Sequence, residues 1–213
     1  MRMQRARQQV AQYGRRMAAA GLVTSTGGNL SVINRKQGLV AISPSGRDYA
    51  DTAAGQVVLV DLAGQVIDGP GRPSSELAFH LALYEARPEI GAVVHTHSPY
   101  AATLACLGWE LLPAHYLVGF SGGKVPLAPY QEVGCRELAE VVVETMQGYN
   151  AVLLANHGLV VVGANLGLAF GAAEALELAA RVYYQARVAG KPRLLSKKQM
   201  DELLPKFAAY GQK

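Results

Sequence analysis

Two short apolar runs that close on histidine constrain this chain more than any other feature: IGAVVHTH at 90–97 and AVLLANHG at 151–158. Four or five consecutive apolar, often β-branched residues bounded by glycine or a turn read as buried strands. Side chains alternate along a strand, so His95 and His97 point to one face with Thr96 opposite. Such a pair can simply end a strand in solvent, or it can offer nitrogen to one cation at about 2.0–2.1 Å per bond. His157 changes the balance, because it also ends an apolar run. If the 91–95 and 151–155 strands are neighbours, all three imidazoles converge. Three nitrogens with an open fourth position is the layout of a catalytic zinc.

A carboxylate should complete the set, as ligand or base, and Glu76 fits best. It follows PSS at the start of a helix expected over 75–86, where the dipole favours an acid. Taken alone, Glu76 reads as a first-turn carboxylate that helps to cap that helix. His80, in mid-helix, reads as a packed, hydrogen-bonded residue, and His115 beside Tyr116 is unassigned. Three stretches pair glycine with small hydroxyl residues: TSTGGNLS, SPSG and PSSE. Backbone N–H groups and hydroxyls in such loops, with the first turn of a helix, can grip a phosphate. Ser74 and Ser75, with Gly28, Asn29, Ser45 and Gly46, are the candidates, although most Ser/Gly turns only join strands. Phosphate-loop and dinucleotide fingerprints are absent, so a phosphoester is expected rather than a nucleotide.

The remaining sequence supplies the frame. An opening helix is expected over 3–20, stopped by Gly21 at its C′ position. NLSVI and GLVAIS form a hairpin, and GQVVLVDLAGQVI a second that turns at Ala63-Gly64. In the 75–86 helix, Leu77, Leu81 and Tyr84 fall at i, i+4, i+7 and predict the inward stripe. Helices follow over SPYAATLACLG and CRELAEVVVETMQ, then two strands around Asn156-His157-Gly158. A long helix from LGLAFG and a last one from SKKQM to KFAAYG close the chain. Strands clustered between helices predict an α/β fold: a three-layer sandwich with a mostly antiparallel central sheet and helices on both faces. With no repeat or linker in view, residues 1–213 read as one domain; the order of the strands does not follow from the sequence.

Composition narrows the function classes. Half of the 213 residues are hydrophobic and 17% are charged, enough for one substantial core. The net charge of +4 comes largely from basic residues near the two ends, with no aromatic-interleaved stripe of the kind nucleic acid requires. A mild positive field suits a phosphorylated metabolite. Two distant cysteines, Cys106 and Cys135, predict reduced thiols. With neither a secretory leader nor a membrane-length apolar run in view, a cytoplasmic protein with no membrane partner is expected.

Taken together, TGGNLSV, ISPSG, PSSELAFH, AVVHTHS, HYLVGFSGGKVPLAPY, GCRELAE and LLANHGL, in that order, resemble the class II aldolase/adducin family. The resemblance runs over nearly the whole chain, including the ending KFAAYG. It implies a zinc-dependent aldolase, one Zn²⁺ per chain, acting at subunit interfaces of a homotetramer. The implied reaction cleaves a ketose 1-phosphate, L-fuculose 1-phosphate first among them, to dihydroxyacetone phosphate and L-lactaldehyde. By position, it implies that His95, His97 and His157 hold zinc, and that Glu76 is both ligand and base. Gly28, Asn29, Ser45, Gly46, Ser74 and Ser75 would line the phosphate pocket. Tyr116 would protonate the leaving aldehyde oxygen across an interface, and Tyr210 would cover the site. Family members have threonine where Ser43 and Ser45 stand, which keeps the hydroxyl, and another residue in place of Thr96. Within the family, methylthioribulose-phosphate dehydration is the main competing reaction. Epimerization ranks lower, because members with that activity carry an aspartate near VGFSGG and this chain has none between Asp68 and Asp201. The adducin branch implies a non-enzymatic alternative, a binding module that does not need the metal.

Overall fold

In the computed structural model, which describes residues 1–208, eight strands form one sheet with helices on both faces. The elements run α1 (Gln4–Ala19), β1 (Asn29–Asn34), β2 (Leu39–Ile42), β3 (Val58–Asp61), β4 (Val66–Asp68), α2 (Leu77–Ala86) and β5 (Ala92–Thr96). They continue with α3 (Pro99–Cys106), β6 (Leu127–Ala128), α4 (Arg136–Thr145), β7 (Ala151–Leu154), β8 (Gly158–Gly163), α5 (Leu166–Ala189) and α6 (Lys197–Ala208). Short 3-10 turns occupy Ala54–Gln56 and Tyr116–Phe120. The sheet order is β4-β3-β2-β1-β5-β8-β7-β6, antiparallel throughout except where β6 meets β7.

Alternation along the strands builds the sandwich. Leu30, Ala41, Leu59, Ala92, Val94 and Val161 face a core with α1, α3 and α5. Ile33, Val40, Val60, Val93, Val152 and Val160 face a second core with α2 and α4. Because both faces are covered, these strands read as unbroken apolar runs instead of alternating ones. Among the described strands only the edge strand β4 is exposed along its length, and buried Arg7 ties it down by donating to Val57 O (2.7 Å) and to the Asp68 carboxylate.

Helix α1 ends as expected. Gly21 adopts φ 68°, while Gly21 N–H donates to Ala18 O and Leu22 N–H to Met17 O, which satisfies the last carbonyls. Helix α2 corrects two expectations. It begins at Leu77 rather than Ser75, so Glu76 is the residue before the helix and its side chain makes no capping bond. Its inward stripe is Phe79, His80, Leu83 and Tyr84, with Leu77 and Leu81 on the half-buried flank. The stripe is shifted because the helix lies with the Glu76–His80–Tyr84 row toward β1. The short β6 and the 3-10 turn at Tyr116–Phe120 had no counterpart in the sequence reading. No helix of the described residues is long and apolar enough to cross a membrane.

Candidate metal centre

Two features of the sheet bring the histidines together. β5 ends beside β8, with Thr96 opposite Leu159, and the β7–β8 hairpin turns at that same edge. The 91–95 and 151–155 segments are therefore not adjacent strands: β8 lies between them, and His157 reaches His95 from the turn expected at Asn156-His157-Gly158. His97 likewise lies one residue past the end of β5. Even so, His95 Nε2 sits 3.0 Å from His97 Nε2 and 3.2 Å from His157 Nε2. Asn156 makes the turn possible in the left-handed region (φ 55°). Gly158 then brings the strands close, since a Cβ there would stand 2.3 Å from Thr96 O.

Glu76 enters from the start of α2. Its Oε2 lies 3.2 Å from His95 Nε2, and its Oε1 lies 3.4 Å from His157 Nε2. One donor atom from each of Glu76, His95, His97 and His157 falls within 4.8 Å of all the others. The chemistry of this donor set fits a divalent cation on three counts. His95 Nδ1 faces the Leu159 carbonyl at 3.0 Å; a carbonyl can only accept, so that nitrogen carries the proton and Nε2 presents a lone pair. Lone pairs facing each other at 3.0–3.2 Å repel unless a cation stands between them, and nitrogens sharing one zinc sit about 3.3 Å apart. Finally, Glu76 Oε1 is the one buried side-chain oxygen among the described residues that takes part in no hydrogen bond.

Electrostatics prepare the same set. Burial pushes the His97 and His157 rings down to about 4, reinforced by the neighbouring His95, so both are neutral and able to ligate near pH 7. Burial alone would raise the Glu76 carboxyl. His95 first, then His157 and the Asn29 hydrogen bond, together outweigh it and hold the group well below the usual carboxylate range. Glu76 is thus an anion beside the imidazoles, as a metal site requires.

The phosphate candidates fall into two neighbouring loops. Ser74 N–H donates to Ser43 O and Ser45 N–H to Arg72 O, bridging the 43–46 and 72–75 segments. Ser45, Gly46 and Ser75 are exposed, whereas Ser74 is buried and its hydroxyl accepts from Glu76 N–H at 3.2 Å. Gly28 is held at φ 65°, and a Cβ there would come 2.6 Å from His95 O; its own carbonyl accepts from Tyr49 OH at 2.8 Å. The Asn29 side chain donates to Glu76 Oε2 at 2.7 Å, which places it at the metal cluster. Tyr116 is 53% exposed, packed against His115 and Phe207. His115 caps the 3-10 turn through its ring nitrogen and lies outside the cluster. Tyr210 lies outside the described residues. Sequence reasoning missed the companions of His80, which is fully buried against Asn29 and Ser31. The available signal was the i, i+4 spacing from Glu76, which places both on one side of α2.

The family model for the Class II Aldolase and Adducin N-terminal domain matches residues 8–184. The chain belongs to this family. It is 49% identical over 212 residues to 5-deoxy-D-ribulose 1-phosphate aldolase of Bacillus thuringiensis serovar kurstaki, covering 100% of both chains. It is 38% identical to the 5-methylthioribulose-1-phosphate/5-deoxyribulose-1-phosphate aldolase of Rhodospirillum rubrum, across 92% of this chain and 88% of that one. Among solved structures, an L-fuculose 1-phosphate aldolase superposes with a TM-score of 0.93 at 38% identity, over 96% of each chain. The eight-stranded sandwich is therefore the class II aldolase fold.

Proposed function

We propose that this chain is a metal-dependent aldolase that reversibly cleaves a ketose 1-phosphate to dihydroxyacetone phosphate and a short aldehyde. The cluster of three imidazoles and Glu76, with its unbonded Oε1, carries the reading. His95, His97, His157 and Glu76 hold one zinc per chain, which when bound supplies the Lewis-acid charge that stabilises electron density left as C3–C4 parts. Glu76 moves the proton at C3: Asn29 anchors Oε2, and Oε1 is the oxygen available to accept it. The bridged 43–46 and 72–75 loops, with Gly28 and the second amide N–H of Asn29, grip the phosphate and so position the reacting carbons. Tyr116, reaching the site of a neighbouring subunit of a homotetramer, takes the C4 hydroxyl proton as the aldehyde leaves and returns it to the aldehyde oxygen in the condensation direction. In support, Tyr116, Leu168 and Leu178 are exposed beside an apolar groove of about 640 Å³, a surface of the kind that subunits cover. The cytoplasm remains the compartment we assign.

The substrate we favour is 5-deoxyribulose 1-phosphate, whose cleavage at C3–C4 releases acetaldehyde; the 49% identity to an aldolase of that name supports it. L-Fuculose 1-phosphate, releasing L-lactaldehyde, is the second reading, supported by the superposition at a TM-score of 0.93. Both sugars end in a methyl group. Retention of all four donors argues against a binding module that dispenses with metal. The test is a panel of 5-deoxyribulose, 5-methylthioribulose, L-fuculose and L-rhamnulose 1-phosphates, read by release of dihydroxyacetone phosphate against loss of water. Glu76→Gln should keep zinc on the three imidazoles yet slow cleavage by about 10²–10⁴-fold. Dehydration without cleavage, or full activity of E76Q, contradicts the proposal.

A further inference from the structure

We infer that His80 is a positioning residue for the reaction: through Asn29 it fixes Glu76 so that one carboxylate oxygen is anchored and the other is left to work. The inference rests on the reading of Glu76 as base. Four contacts carry it. Asn29 Nδ2 lies 2.7 Å from Glu76 Oε2, and His80 Nε2 lies 2.5 Å from Asn29 Oδ1. Ser31 Oγ lies 2.7 Å from His80 Nδ1 and 2.8 Å from Tyr84 OH.

Each donor in this chain is fixed by the one before it. A carboxylate only accepts, so the amide nitrogen of Asn29 faces Glu76 and its oxygen faces His80. An amide oxygen also only accepts, so His80 Nε2 carries the proton. His80 Nδ1 then accepts from the Ser31 hydroxyl, and Ser31 accepts from Tyr84. Run in reverse, a neutral His80 protonated at Nε2 holds Asn29 in the one orientation that gives Glu76 a donor. Flipping the amide would set oxygen against carboxylate and N–H against N–H in a dry interior. His80, Ser31 and Asn29 are all buried, with His80 at 0% exposure, and burial keeps its ring neutral, pushed down to about 3.

The fold builds this arrangement by matching two periods. Asn29 and Ser31 are alternate residues on the β1 face toward α2, and Glu76, His80 and Tyr84 are spaced by one helical turn. Two strand residues advance about 6.6 Å and four helical residues about 6 Å, so the two rows interlock. An amide in mid-chain passes no proton without tautomerizing, so the chain orients and does not relay. Its product is the inequality of the two oxygens: Oε2 accepts a hydrogen bond from Asn29, and Oε1 accepts none.

The test combines spectroscopy of the unaltered protein with paired variants. Nitrogen-15 NMR of the imidazoles should show His80 as the Nε2–H tautomer in both zinc-loaded and metal-free protein; the Nδ1–H tautomer overturns the inference. His80→Leu should lower kcat by about 10–100-fold, the cost usual for such supporting partners, with zinc content kept and KM within about twofold. His80→Gln, which can still donate to Asn29, should recover most of the loss. Equal kcat for wild type and H80L overturns the inference, as does an H80Q no better than H80L. Should H80L not fold, the tautomer and H80Q still decide. An active E76Q would instead refute the reading of Glu76, whereas an inactive E76Q beside a fully active H80L refutes only the role of His80.

Discussion

Acid should destabilise this fold through His80 well before its carboxylates protonate. In the unfolded chain a histidine takes up its proton near pH 6.5, but burial holds the His80 ring neutral in the fold down to about 3. Between those values the unfolded state binds one proton that the folded state refuses, so stability falls as pH falls. One such proton costs about 1.4 kcal/mol per pH unit, or about 2 kcal/mol between pH 6.5 and pH 5. His97 and His157, pushed down to about 4, add to the loss in metal-free protein. Glu76 adds only below the ordinary carboxylate range, because its folded pKa is depressed. The contribution of His80 is isolated by urea unfolding in EDTA from pH 7 to pH 4.5, comparing wild type with His80→Gln. The variant's curve should be shallower by about 1.4 kcal/mol per pH unit below pH 6. Parallel curves would refute the claim that His80 is buried neutral and titrates only on unfolding.

Other outcomes follow from the same geometry. Gly158→Ala would put a methyl 2.3 Å from the Thr96 carbonyl, a backbone atom that cannot step aside. Thermal unfolding should show a loss of about 1–3 kcal/mol, with reduced zinc content because β5 and the turn carrying His157 are pushed apart. Tyr116→Phe should slow cleavage while leaving zinc content and monomer stability unchanged, since the side chain is exposed and lies outside the buried core. Tyr49→Phe, which removes the donor to Gly28 O, should cost about 1 kcal/mol in chemical denaturation.

The three imidazoles were legible because each ends a run too apolar to be anything but a strand, and strand ends cluster at sheet edges. How they meet was not legible. The adjacency of β5 and β8 depends on which segments cross over, and no local propensity encodes that choice. The turn at Asn156-His157-Gly158 is where the sequence places it, but the strand beside β5 is β8, which follows that turn, and not β7, which precedes it. Glu76 was legible by type and place, but its two explanations separated only in the structure, where the carboxylate turns from the helix end to the histidines. His80 was rightly taken as packed. Its partner Ser31, and Tyr84 beyond Ser31, stayed hidden because helix and strand meet there through pairings of Ser31 with residues 49 and 53 positions away. The candidate phosphate loops were visible as glycine and hydroxyl clusters, and the bridge between them was not. Sugar preference resides in side chains around the aldehyde, which spacing along a chain does not reveal.

Elemental analysis of the purified protein beside His157→Ala tests the central claim most directly. About one zinc per wild-type chain is expected, and loss of most of it in H157A with helical content preserved. Wild-type protein without a bound divalent ion after growth in zinc, or H157A that keeps a full complement, would contradict it.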